Sequence, residues 1–139
     1  TGAALMLGGH IPSSAIILVA VLYSVGAHGI MTLNDFKSIE GDRQIGIKSL
    51  PAQLGAKRAA HVACIVMLIP QLIVIALLIR WGSYWQAVAI AGLVAGQLLA
   101  MRHMLKAPKE RAPWYNGTGV SAYVTGMMIA ATALPGITL

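Results

Sequence analysis

Residues 11–42 read Ile11-Pro-Ser-Ser-Ala-Ile-Ile-Leu-Val-Ala-Val-Leu-Tyr-Ser-Val-Gly-Ala-His-Gly-Ile-Met-Thr-Leu33-Asn-Asp-Phe-Lys-Ser-Ile-Glu-Gly-Asp42. Up to Leu33 the stretch holds no Asp, Glu, Lys or Arg, over the ~20 residues that a helix needs to cross a bilayer. It then turns polar abruptly. Three of the chain's four acidic residues, Asp35, Glu40 and Asp42, follow within eight positions. Carboxylates grouped at the edge of an apolar span point to binding of a cation or of a cation-bridged anion.

The remainder of the chain repeats the apolar half of that pattern. Hydrophobic residues make up 58% of it and charged residues 10%, with 15 glycines and a mean hydropathy of +0.76. The expected fold is all-α: a polytopic transmembrane bundle with full spans at 12–33, 58–79, 84–105 and 116–136. Ahead of them lies a stub, Thr1 to Gly9. Its opening Thr1-Gly-Ala-Ala-Leu-Met-Leu-Gly8 reads as the end of an earlier span, lacking the basic leader of a signal peptide. The chain is therefore expected to be the C-terminal part of a longer protein.

A net charge of +6 could suit nucleic acid, but that requires a basic face, and here the charges lie at the ends of apolar segments. They set orientation instead. Lys37, Arg43, Lys48, Lys57 and Arg58 follow the first span, and Arg102, Lys106, Lys109 and Arg111 follow the third, leaving only Arg80 for the opposite side. Positive residues stay cytoplasmic, which places the acidic stretch in the cytoplasm. Trp81, Tyr84, Trp85, Trp114 and Tyr115 fall at span ends, as interfacial anchors would. The single cysteine, Cys64, excludes an internal disulfide and reads as packing. Gly26 and Gly29 reduce bulk near the end of the first span, and Gly92-Leu-Val-Ala-Gly96 has the spacing of a helix-packing motif. His28 suits either a satisfied core position or a pathway. Asn116-Gly-Thr118 matches a glycosylation pattern, but on the cytoplasmic side, where it has no use.

If Asn34 to Asp42 continues the first helix, Asp35 and Asp42 are separated by about 700° of rotation, on nearly one face and about 10 Å apart along the axis. They cannot share one small cation directly, yet could flank a diphosphate carrying metal. Ser38 lies near that face and Glu40 points elsewhere. Lys37, Arg43 and Lys48 could contact phosphate oxygens. Spacing alone leaves open a charged cytoplasmic loop with local ion pairs.

The full string Asn34-Asp-Phe-Lys-Ser-Ile-Glu-Gly-Asp-Arg-Gln-Ile-Gly-Ile-Lys-Ser-Leu-Pro51 resembles the second aspartate-rich motif of the UbiA superfamily of intramembrane prenyltransferases, in its chlorophyll and bacteriochlorophyll synthase branch. Ala112-Pro-Trp-Tyr-Asn-Gly-Thr-Gly119, with Tyr123 and Gly126-Met-Met128, is similar to the bacterial members. The resemblance implies nine transmembrane helices, of which these would be six to nine, in a single membrane domain. Residues 1–139 would be its C-terminal part, inactive alone because the first aspartate-rich motif lies in the missing N-terminal half. It implies Mg²⁺-dependent transfer of a geranylgeranyl or phytyl group from its diphosphate to the propionate of a chlorophyllide-type tetrapyrrole, releasing pyrophosphate, in a bacterial inner or intracytoplasmic membrane.

Carried over position by position, the resemblance makes Asp35 and Asp42 the catalytic metal–diphosphate ligands. Lys48 and Arg43 match nearby basic positions, and Asn34, Lys37 and Ser38 join them as expected substrate-binding residues. Its partners are a prenyl diphosphate, the tetrapyrrole and the lipid bilayer, with no nucleic acid. Many superfamily members have lysine where Asn34 stands and aspartate where Ser38 stands, a departure that the pigment branch shares. Tyr23, His28, Trp114 and Tyr115 are candidates for holding pigment. Two other readings are a UbiA-type enzyme acting on a quinone precursor or haem, and a non-catalytic cation-binding membrane subunit.

Overall fold

Pro12 and Ser13 mark where the first helix begins: Ser13 Oγ accepts the Ile16 N–H as an N-cap, relieving one of the unpaired donors of the first turn. The computed structural model describes residues 12–137. Its long helices are α1 (Ser14–Asn34), α4 (Ala56–Arg80), α5 (Tyr84–Met104) and α6 (Pro108–Ala133). Between α1 and α4 lie a 3₁₀ turn (Asp35–Lys37) and two short helices, α2 (Ile39–Gln44) and α3 (Leu50–Leu54); a second 3₁₀ turn, Leu134–Gly136, follows α6. Every regular element among the described residues is helical, as expected. The reading of Thr1 to Gly8 as the end of an earlier span lies outside the described residues.

Helix α1 packs chiefly on α4 and α5 chiefly on α6, while α4 also meets α5 and α6, and α1 meets α6. In α1 the buried positions are Ala15, Val19, Tyr23, Gly26, Gly29 and Leu33, the three- and four-residue steps of one helical face. The outward positions stay apolar. Val21, Met31, Ile65, Val88 and Leu99 are all more than half exposed, a surface suited to lipid rather than to water. Trp85 and Tyr84 are also exposed, beside the turn into α5, as anchors should be.

By length and composition, α1, α4 and α5 can each cross a membrane. The fourth expected span differs. It forms a helix, but one that starts at Pro108 rather than at 116, runs 26 residues, and is not apolar enough to qualify on the same measure. Its first turn is charged, and its body carries Thr118, Ser121, Thr125 and Thr132. Those hydroxyls donate back to carbonyls of their own helix, which leaves them satisfied in apolar surroundings. With the earlier start, Tyr115 falls inside the bundle, fully buried; it is a core residue and not the expected interfacial anchor.

Two glycines of α1 permit its close packing. A methyl at Gly29 would stand 2.5 Å from Ala63 O and Met67 Cγ of α4, and one at Gly26 would overlap Tyr123 Oη of α6. Only glycine fits there. Tyr123 Oη donates to Tyr23 O at 2.7 Å, and the two rings meet edge to face at 5.3 Å. A second polar seam joins the other helices: Gln71 Nε2 donates to Gln97 Oε1 (2.9 Å), and Gln97 Nε2 donates to Tyr115 Oη (3.0 Å). In a dry interior such bonds are costly to leave unmade. By contrast, nothing lies within 4 Å of a methyl built at Gly92 or Gly96. The packing role expected of their GxxxG spacing is not found among the described residues, because that face of α5 points away from the other helices.

Candidate functional site

Chain geometry after α1 is set by where the apolar residues go. Leu33, Phe36 and Ile39 are buried, and they draw the polar stretch back across the end of the bundle instead of letting it project as a helix. The condition that the first helix continues from Asn34 to Asp42 is not met. Asp35–Lys37 tightens to a 3₁₀ turn, and Ser38, at φ −109° and ψ 5°, separates it from α2. The argument that Asp35 and Asp42 share one face of a single helix does not hold. What holds is the shorter step from Ser38 to Asp42, where the Asp42 N–H donates to Ser38 O at 2.8 Å.

Asp42 is the best-held acid of the group. It is 9% exposed, and its Oδ2 accepts from Ser49 Oγ at 2.5 Å; Ser38 Oγ stands 3.3 Å from the same oxygen but 3.1 Å from Asp35 O, and its one proton serves both acceptors. Ser49 is brought there by a reversal at Gly46, whose φ of 76° suits a residue without a Cβ. Ser49 opens α3, yet its hydroxyl makes no cap bond to that helix; it is spent on the carboxylate instead. Asp35 sits half-buried at the C-terminal end of α1, where the exposed carbonyls of a long helix add partial negative charge and favour a cation.

The other residues expected at the site divide into those left free and those already engaged. Lys37 and Lys48 have exposed side chains. Arg43 Nε donates to Ala52 O at 3.1 Å, bracing α2 against α3. Asn34 Oδ1 accepts from Asn116 Nδ2 at 2.8 Å, tying the start of the acidic stretch to α6. Glu40 pairs with Lys109 at 2.6 Å; that hydrogen bond, more than any other influence, holds its carboxyl below the usual 4.5. Glu40 is thus occupied.

Sequence reasoning missed Ser49, Lys109 and Asn116. The last was set aside as part of a glycosylation pattern, and no spacing in the sequence pairs it with Asn34, 82 positions earlier. Of the pigment candidates, Tyr23 and Tyr115 are core residues, the His28 ring N–H donates to Ser24 O within its own helix, and the Trp114 ring meets His103 at 4.9 Å, tilted by 60°. An apolar groove of about 560 Å³ runs between α1 and α6, lined by residues that include Ile16, Ala27, Ile30, Met127 and Leu134. Its Ile30 end comes within about one helical turn of Asn34.

No cluster of three or more His, Cys, Asp or Glu side chains occurs among the described residues. The two available donors, Asp35 and Asp42, are hard carboxylate oxygens. That set fits a divalent cation completed by phosphate oxygens and water, since Mg²⁺ is commonly held by one or two carboxylates plus substrate phosphates.

An all-helical membrane bundle with carboxylates gathered at the end of a span defines a class that comparison makes specific: residues 1–120 match the UbiA prenyltransferase family, and the chain belongs to that family. With its long apolar helices it is an integral membrane protein. Within the family it is 55% identical over 137 residues to the bacteriochlorophyll synthase 33 kDa chain of Cereibacter sphaeroides, covering 99% of this chain and 45% of that protein. It is 50% identical over 141 residues to the protein of the same name from Rhodobacter capsulatus, covering 100% of this chain and 46% of the relative. The chloroplastic chlorophyll synthase of Avena sativa is more distant, at 36% over 119 residues, 85% of this chain and 32% of that protein. The chain thus spans about half the length of the bacterial relatives it matches. No solved structure matches it.

Proposed function

We propose that this chain is the C-terminal part of the membrane domain of a bacteriochlorophyll synthase, and that it supplies one of two acidic loops that hold a prenyl diphosphate. The reading rests on the name shared by the relatives with highest identity given above. It rests structurally on one observation: a buried Asp42 carboxylate held by Ser49 Oγ at the polar end of the bundle, with Ser38 Oγ in reach of both that carboxylate and the Asp35 carbonyl. The distribution of basic residues supports a loop that faces the cytoplasm, and the bacterial relatives support a bacterial inner or intracytoplasmic membrane.

In the proposed reaction a propionate oxygen of a chlorophyllide-type pigment forms a bond to C1 of a geranylgeranyl or phytyl group. The bond from C1 to the diphosphate oxygen breaks, and pyrophosphate leaves with the electron pair. A bound Mg²⁺ supplies neutralisation of the charge growing on the leaving group. Asp35 and Asp42 would hold the cation, with Ser38 and Ser49 keeping the Asp42 carboxylate in place before substrate arrives. Lys37 and Lys48, exposed at the same end, supply positive charge for phosphate oxygens; Arg43 shares that role through the guanidinium nitrogens not bonded to Ala52. Asn34, held by Asn116, presents an amide beside Asp35. The α1–α6 groove offers apolar surface for an isoprenoid chain and limits water near the reacting carbon. The acceptor carboxylate is already ionised near neutral pH, so no base is required.

The test is esterification by the full natural polypeptide in detergent or nanodiscs, given bacteriochlorophyllide, geranylgeranyl diphosphate and Mg²⁺. The expected product is the esterified pigment with one pyrophosphate released per ester. Transfer of the prenyl group only to a quinone-precursor ring, with no pigment ester, would overturn the reading.

A further inference from the structure

Among the described residues, His28 is an ionisable side chain exposed on a helix long and apolar enough to cross the membrane. Such groups inside a span face a protein interior or a cavity, because lipid offers them nothing to bond. Seven positions separate it from Asp35. Asp35 keeps helical backbone as the C-cap of α1, at φ −68° and ψ −10°, so the two residues lie within about 20° of one face and about 10 Å apart along the axis. Ser24, one turn before His28, is exposed on that face too, and it lines the edge of the α1–α6 groove. The buried positions of α1, Tyr23, Gly26, Gly29 and Leu33 among them, occupy the opposite side. Val21, Val25 and Met31 flank His28 and are exposed, giving the imidazole an apolar surround. Its own hydrogen bond fixes what the ring can do. A carbonyl oxygen only accepts, so the 3.1 Å contact with Ser24 O puts the proton on Nδ1 and leaves the Nε2 lone pair of the uncharged ring free. Histidines that bind metal are held in this manner, the second nitrogen donating to a carbonyl or carboxylate. His61 makes a similar bond to Lys57 O, but at the charged start of α4, beside Lys57 and Arg58.

We propose that His28 Nε2 is the axial ligand to the central metal of the tetrapyrrole acceptor, an inference that rests on the function proposed above. The macrocycle's four nitrogens occupy the equatorial positions of that metal and leave an axial one, which the imidazole lone pair enters with displacement of at most a solvent molecule. Imidazole nitrogen is the commonest side-chain ligand to metals. The macrocycle then lies against Val21, Val25 and Met31, with its propionate directed along α1 toward Asp35. The groove on the neighbouring side of α1 keeps the isoprenoid chain beside the pigment and apart from it. His28 is a positioning residue: it sets where the acceptor carboxylate stands relative to C1 and takes no part in making the ester bond.

The test titrates the full natural polypeptide in lipid nanodiscs, as parent and as His28→Ala, with bacteriochlorophyllide and with metal-free bacteriopheophorbide. The parent binds the metallated pigment about tenfold or more tightly than the metal-free one, the factor that even a supporting partner of a ligand contributes at a metal site. His28→Ala loses that preference. In the parent the visible absorption band that reports axial coordination shifts from its position in non-coordinating solvent; in His28→Ala it does not, and added imidazole restores the shift. Equal affinity of the parent for the two pigments overturns the inference, as does a preference that survives in His28→Ala, even where pigment ester still forms and the proposed function stands. The first of these needs only the parent, so a variant that failed to fold would leave the test intact. A parent that binds neither pigment and forms no ester overturns the proposed function and this inference together.

Discussion

Replacing Ser49 with alanine removes the shorter of the two hydroxyl bonds to Asp42 without disturbing anything else that Ser49 is seen to do. The bond measures 2.5 Å and ends on a carboxylate that is 9% exposed. Hydrogen bonds to charged groups contribute about 1.5–3 kcal/mol. Ser38 Oγ stays 3.3 Å from the same oxygen, with its proton shared with Asp35 O, and this partial replacement sets the expected loss at the low end, about 1.5 kcal/mol, or roughly tenfold in an equilibrium constant. Because Ser49 makes no side-chain cap bond to α3, no helix-capping loss is mixed in. Affinity for Mg²⁺–geranylgeranyl diphosphate should fall about tenfold in Ser49→Ala and stay near the parent value in Ser49→Thr, which keeps the hydroxyl. Measured by fluorescence or calorimetric titration of the full natural polypeptide, Ser49→Ala should add little once Asp42→Asn is already present. An equal loss in both backgrounds would refute the reasoning that Ser49 acts through Asp42.

The packing account separates two kinds of glycine. Gly29→Ala drives a methyl against the Ala63 carbonyl and Met67 and should cost about 1–3 kcal/mol, read as a lower melting temperature. Gly96→Ala meets nothing within 4 Å and should leave that temperature unchanged or slightly higher. The Glu40–Lys109 pair gives a pH dependence of defined sign. A carboxyl held below its usual 4.5 contributes stability that is present above the unfolded value and is lost as pH falls through the folded value. Any difference in melting temperature between the parent and Lys109→Ala should therefore exist at neutral pH, shrink with salt, and vanish in acid below 4.5; a difference that grows in acid would contradict the pairing.

Much of this architecture was legible in the residues because apolar runs of span length admit few folds. The bounds of α4 and α5 follow the expected spans within a few residues. What failed did so for local reasons. The one-face argument for Asp35, Ser38 and Asp42 held only if the first helix continued, whereas burial of Phe36 and Ile39 bends the chain across the bundle. The last helix was begun too late because Lys109, Glu110 and Arg111 look like a loop, although Pro108 suits a first helical turn. The GxxxG pattern was read as a contact, but a spacing does not say which neighbour it meets. Asp42's partners Ser38 and Ser49 lie on opposite sides of a glycine turn, and no periodicity connects them. Family resemblance carried the assignment of Asp35 and Asp42, and the geometry adds what resemblance could not: which of the two is held in advance, and by what.

The central claim is that this acidic loop holds a metal-bound diphosphate, and direct binding tests it best. Titrating geranylgeranyl diphosphate into the full natural polypeptide, with Mg²⁺ and with chelator, should show affinity that needs the metal and is largely lost in Asp42→Asn. Binding that is equally tight without metal, or unchanged in Asp42→Asn, would contradict the account.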